Sequence, residues 1–348
     1  MPDLEGKLVA SKQLFKSGEE KTVEFELTNR GNQDVHVLTW YTPLEGLWSD
    51  CLAVMRDGQR VPYDGPLAKR GEPTDRDYVL VPAGQTVSNR VALQRAYDVS
   101  VPGQYDVALD TEVQDFVTDE PGTPLNAKLA VSERATTKQA LRGSEIHFVV
   151  EPGGGYLPTE GDSARSFEKA KKKDDAGAAE VEKKAGPKTP ELIGGDAPRQ
   201  AATKQAHIDG YNLVVAALAE LGNNAQYIDW FGTHTASRLQ IVKDHYTQVR
   251  DAMQTKTFTY DLTSTGCGSS VYAYTYKGTT TVWMCDLFWE APAVGTDSKA
   301  GTVVHELTHA VAGTDDITYG QTKCRQLAID NPDRAVQNAD NHEYHSKG

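Results

Sequence analysis

The spacing of hydrophobic residues changes partway along this chain. From Leu4 to Val150, apolar and polar residues alternate in short runs such as KTVEFELTN, HVLTWYTPL, YDVALDTEVQDFV and SEIHFVVEP. Turn signals (NRGNQ, RDGQ, PAGQ, VPGQ) separate them. A period of two marks strands with one buried face, and strands at this spacing predict an all-β sandwich of immunoglobulin-like type over residues 1–152. From about Pro198 the period lengthens. RQAATKQAHIDGYNLVVAALAEL and ASRLQIVKDHYTQVRDAMQ repeat every 3.6 residues, and QTKCRQLAI and DRAVQNADNHEY predict shorter helices. VYAYTYKGTTTVWMC reads as a hairpin with Lys277 and Gly278 near its turn. Residues 197–348 are therefore expected to form a second, mainly α (α+β) domain.

Residues 153–196 follow neither period. The stretch EKAKKKDDAGAAEVEKKAGPK is too charged to bury a core, so a flexible linker, transiently helical in part, is expected there. It carries Lys169, Lys171, Lys172, Lys173, Lys183, Lys184 and Lys188, an accessible target for a protease that selects lysine.

Composition narrows the function classes. The 348 residues carry a formal charge of −13, which argues against a nucleic-acid partner. There is no run of 18 apolar residues, so no membrane span is expected. The opening MPDLEGK lacks the apolar core of a signal peptide. Of the four cysteines, Cys267 and Cys285 flank the predicted hairpin and are expected to form a disulfide. Cys51 and Cys324 are left as buried thiols or as a bridge between the domains.

The candidate chemistry lies in HELTHAVAGTDDITYG, residues 305–320. On a helix His305 and His309 are one turn apart and project from one face, as two ligands of Zn²⁺ must. Glu306 stands beside them as general base for a metal-bound water. Gly313 ends the helix and lets the chain return with a third ligand. Two acids compete for that place. A metzincin pattern would use Asp315 but requires Gly where this chain has Ala312, whereas the G-T-x-D frame selects Asp316. The same frame puts Tyr319 three residues on, where a phenol can hydrogen-bond an oxyanion. His234 and His245 read as structural or surface residues, His342 and His345 lie near the end of the chain where one could line a pocket, and Trp230 and Trp289 read as core.

HExxH followed by GTxDxxYG resembles the aspzincins, the deuterolysin-type zinc endopeptidases. YIDWFG, TVWMCDLFWEAP, GTDSKAGTVVHE and NADNHEYH resemble their peptidyl-Lys branch over roughly the last 150 residues. The resemblance implies a secreted enzyme with a zincin-type catalytic domain, one zinc ion, the Cys267–Cys285 pairing, and cleavage of Xaa–Lys bonds in protein or peptide substrates. It also implies that Asp340 and Glu343 line the pocket for the substrate lysine. Three residues apart on a helix, these two would share a face and favour an ammonium. On that basis, removing both should abolish the lysine preference and leave turnover. The resemblance further implies that the β domain is a propeptide acting as an intramolecular inhibitor. The loop PYDGPLAKRGEPTDRDY would then place Lys69 in the acidic pocket. The rival readings are a broad-specificity deuterolysin-like protease and a β-sandwich binding or adhesion protein whose zinc domain is inactive.

Overall fold

The computed structural model describes residues 3–118, 125–129, 138–141, 145–174, 186–263 and 267–347. The chain divides into two compact units, one of residues 1–66 and 73–163, the other of residues 67–72 and 164–348.

The first unit is built mostly of strands, as the alternating pattern predicts. Its described strands lie in four sheets rather than the two of a simple sandwich. One sheet pairs Leu4–Ala10 with Thr22–Asn29 and Thr22–Asn29 with Thr86–Ala92, all antiparallel. A five-stranded sheet has Gly103–Leu109 at its centre, between Ile146–Glu151 and Leu52–Arg56. Its outer strand Leu14–Lys16 runs parallel to Ile146–Glu151. A three-stranded and a two-stranded sheet complete the unit. Inward residues of the larger sheets, among them Phe25, Leu27, Val54, Tyr105 and Val107, make one apolar core.

The second unit has its own core, formed by helices and one mixed sheet. Asp196 caps the long helix Ala197–Glu220 by accepting the Arg199 N–H, and Pro198 fits its first turn. That helix packs on Lys299–Leu307, which is capped by the Ser298 hydroxyl at the Gly301 N–H. Gly210 permits the close approach, since a β-carbon there would lie 3.0 Å from Val303 and 3.2 Å from the Ala300 carbonyl oxygen. The sheet runs in the order Glu191–Ile193, Thr259–Asp261, Thr281–Met284, Val271–Thr275 and Leu67–Arg70. Its first three strands are parallel and its last two pairings antiparallel. The predicted hairpin is present, with Gly278 at φ +76° in its turn. A Cys267–Cys285 disulfide closes its base.

One expectation changes. The spacer is not uniformly irregular: Glu160–Asp174 is helical, Glu191–Ile193 joins the sheet of the second unit, and the Lys188 N–H donates to the Met253 carbonyl. Acidic residues in the first turn and a run of helix formers account for the helix, and Leu192 packs against the core. Of the lysines named above, Lys183 and Lys184 lie outside the described residues. Cys51 and Cys324 do not pair; each is a buried free thiol. No described helix is long and apolar enough to cross a membrane.

Candidate active site

Every residue from Ala300 to Leu307 is buried, so both histidines of the motif sit inside the unit. The helix does not stop after Leu307. It widens into a π-helical turn over Thr308–Ala312 and ends at Gly313, which adopts the left-handed conformation with φ +78°. The chain then doubles back, and Asn338 clamps it: the Asn338 side-chain oxygen accepts the Ile317 and Thr318 N–H groups, and its amide donates to the Thr318 carbonyl.

This return decides between the two adjacent acids. Asp315 points outward to Lys277. Asp316 turns inward, with Oδ1 3.1 Å from Nε2 of both His305 and His309. The two Nε2 atoms are 3.0 Å apart. Each imidazole donates its other nitrogen's proton to a fixed acceptor, His305 Nδ1 to Asp340 Oδ1 at 2.8 Å and His309 Nδ1 to the Thr314 carbonyl at 2.8 Å. Those bonds set the tautomer in which both Nε2 atoms present lone pairs to a common point. Tetrahedral zinc with bonds of about 2.0–2.1 Å needs donors roughly 3.3 Å apart, so two imidazoles and one carboxylate at this spacing fit the ion and leave its fourth position open.

Glu306 has one oxygen bonded and one buried with no hydrogen-bond partner among the described residues. Burial pushes its pKa up to about 7, where a carboxylate can both take and return a proton near neutrality.

The strand Leu67–Arg70 lies along the sheet edge with Lys69 opposite Ala273 and Ala68 opposite Tyr274. The Ala68 carbonyl accepts a hydrogen bond from the Tyr319 hydroxyl at 2.8 Å. The Lys69 N–H donates to Glu306 Oε1 at 2.9 Å, and the Ala68 N–H to Asp316 Oδ2 at 2.7 Å. The peptide group between Ala68 and Lys69 therefore spans Tyr319 and the motif glutamate. The Lys69 side chain is wholly buried, its ammonium 2.5 Å from Glu343 Oε2, 3.1 Å from Asp297 Oδ1 and 3.4 Å from Asp340 Oδ1. Tyr272 and Tyr344 present their rings to it at 5.3 and 5.5 Å. Burial alone would lower the lysine pKa, but the carboxylates of Asp340, Glu343 and Asp297 raise it well above its usual value.

Asp340 and Glu343 share the buried C-terminal helix Ala339–Ser346, as their spacing predicts. They are not equivalent. Asp340 accepts from His305 through Oδ1 and from the Gly320 N–H through Oδ2. Glu343 Oε1 is bonded by Lys347, one turn along the same helix. His342 and His345 turn away, toward His245 and Tyr246. Two contributors escaped the sequence reading. Asp297 lies in an irregular stretch with no periodicity to mark it, although GTDSKAGT flags its neighbourhood; Lys347 follows Glu343 by four residues, a spacing that signals a helical ion pair.

The family described as lysine-specific metallo-endopeptidase, the aspzincins, matches residues 216–347. An extracellular protease of Aeromonas hydrophila is 34% identical over 334 residues, covering 94% of this chain and 88% of that protein. This chain belongs to the aspzincin zinc metalloendopeptidases. A peptidyl-Lys metalloendopeptidase of Grifola frondosa is 44% identical over 124 residues, covering 35% of each protein. A solved zinc peptidase from Grifola frondosa is 38% identical, covers 44% of this chain and 96% of its own, and has a TM-score of 0.41. Like its relatives, this aspzincin acts on protein substrates.

Proposed function

We propose that this aspzincin is the precursor of an extracellular endopeptidase that cuts on the amino side of lysine, with Lys69 blocking the site until the N-terminal part is removed. The observation that carries the reading is the seat of Lys69: a fully buried ammonium among three carboxylates, attached to a peptide group whose carbonyl meets Tyr319 and whose N–H meets Glu306. A substrate Xaa–Lys segment would take the same direction and register on the strand Val271–Thr275. The disulfide and the name of the Aeromonas relative favour an oxidising, extracellular destination.

His305, His309 and Asp316 would hold zinc, which when bound polarises a carbonyl and acidifies water. Glu306 takes the proton of the attacking water and delivers it to the departing lysine nitrogen, on the side where its oxygen now meets the Lys69 N–H. The Tyr319 hydroxyl donates to the carbonyl oxygen as negative charge grows there. Asp340 keeps His305 in its ligating tautomer. A lysine side chain in the pocket fixes the register of the bond to be cut.

Residues 67–72 belong to the second compact unit, yet the first unit carries them on both sides in sequence. The plug thus stays tethered until the chain is cut. Residues 153–196 remain the proposed processing region, with Lys188 the least available because its backbone is bonded at both N–H and carbonyl. The test is Lys69→Met in the full chain. It should raise the activity of uncut protein on a lysine-containing peptide or speed its processing; no change in either would remove Lys69 as the block.

A further inference from the structure

We infer that Asp297 is a further specificity-determining residue for lysine, the one carboxylate of the pocket whose charge is devoted to the incoming side chain. This rests on the reading of Lys69 as a substrate mimic. Three carboxylates surround the Lys69 ammonium, but two have other duties. Asp340 is bonded to His305 and to the Gly320 N–H. Glu343 shares its charge with Lys347. Asp297 pairs with no other cation among the described residues; apart from Lys69, its Oδ1 accepts only the Tyr344 hydroxyl, at 2.9 Å. It touches neither the histidines nor Asp316.

Its position fits the role. The Asp297 side chain is 36% exposed while those of Asp340 and Glu343 are at 0%, so Asp297 stands at the mouth and the others at the floor. A carboxylate at the mouth pairs with an incoming ammonium at less desolvation cost than a floor acid pays. The backbone of Asp297 is left-handed, φ +48°, a conformation that favours glycine. The next residue, Ser298, caps the catalytic helix and fixes the loop. An acid held at a glycine-like position, directly on the bound ammonium, is placed for its charge rather than for backbone comfort.

The experiment compares wild type, Asp297→Asn and Asp297→Gly as full-length chains loaded with zinc. Each is processed to completion by a trace of wild-type enzyme whose own rate is subtracted. Two peptides are used that differ only in lysine or norleucine after the cut bond. The structure predicts that both variants lose about tenfold to a hundredfold in kcat/KM on the lysine peptide, mainly through KM, and keep the wild-type rate on the norleucine peptide. Asp297→Gly relaxes the backbone, so its thermal stability should equal or exceed that of wild type. An unchanged lysine-to-norleucine ratio in both variants, with wild type selective, would overturn the inference alone. An equal loss on both peptides would make Asp297 structural and overturn it as well. A wild type without lysine preference would instead sink the reading on which it rests.

Discussion

Asp340→Asn removes one negative charge from the middle of the site and keeps the side chain's shape. The aspartate accepts two buried hydrogen bonds, from His305 Nδ1 at 2.8 Å and from the Gly320 N–H at 2.8 Å. Asparagine offers one acceptor and one donor group, so one of these two N–H groups would face an NH₂. An unsatisfied buried donor costs about 1–3 kcal/mol. If His305 is the loser, its tautomer is no longer set, and loss of such an outer partner weakens metal binding by about 10- to 100-fold, roughly 1.4–2.7 kcal/mol. The contribution to lysine binding is the smaller part, because the Asp340 oxygen lies 3.4 Å from the ammonium and that of Glu343 2.5 Å. Burial opposes ionisation of Asp340, yet the Lys69 ammonium and the His305 bond bring its pKa down to about 2, so it is charged at neutral pH while Lys69 occupies the pocket. The assay is competition for zinc between the full chain and a chromophoric chelator, with Glu343→Gln alongside. Asp340→Asn should bind zinc more weakly, and Glu343→Gln should bind it as wild type while losing lysine preference. Wild-type zinc affinity in Asp340→Asn, with specificity alone impaired, would refute the reasoning and return Asp340 to the simple pocket role that its sequence position suggests.

Glu306→Ala should retain zinc and lose turnover by about a hundredfold to ten-thousandfold, measured by metal analysis and peptide hydrolysis on one preparation; loss of the metal with the activity would argue for a ligand instead of a base. Acid should destabilise the fold through its buried histidines. Burial lowers the pKa of His207 and of His345 to about 4 from 6.5. The unfolded chain therefore gains these protons first as pH falls below 6.5, and each histidine costs about 1.4 kcal/mol of stability per pH unit until the folded pKa near 4 is passed. Thermal melts between pH 7 and 4.5 should show this decline, and His207→Asn should flatten it; a flat wild-type profile would contradict the assignment.

The catalytic motif was legible because its chemistry is local. His305, Glu306 and His309 lie on one helix, and a glycine and a fixed frame bring Asp316 and Tyr319 back within eleven residues. The pair Asp340 and Glu343 was marked by the resemblance of NADNHEYH to the peptidyl-Lys branch, with a spacing that puts both on one helix face, but the second duty of Asp340 was not legible, since its partner His305 lies 35 residues away and only tertiary packing joins them. Asp297 was hidden because left-handed loop residues follow no period. Alternation in the first unit predicts strands but not partners, and the pairing of Leu14–Lys16 with Ile146–Glu151 spans most of that unit. The charged spacer misled in its outer parts, where a helix and a short strand form through contacts that composition does not report.

The central claim is that this pocket reads lysine on the leaving side of the cut. It is tested most directly by digesting an unstructured protein with the processed enzyme, with and without a zinc chelator, and identifying each new N-terminus by mass spectrometry. The account predicts cuts that the chelator abolishes and new N-termini that are lysine. Chelator-sensitive cuts at unrelated residues would leave the aspzincin chemistry intact and contradict the claim.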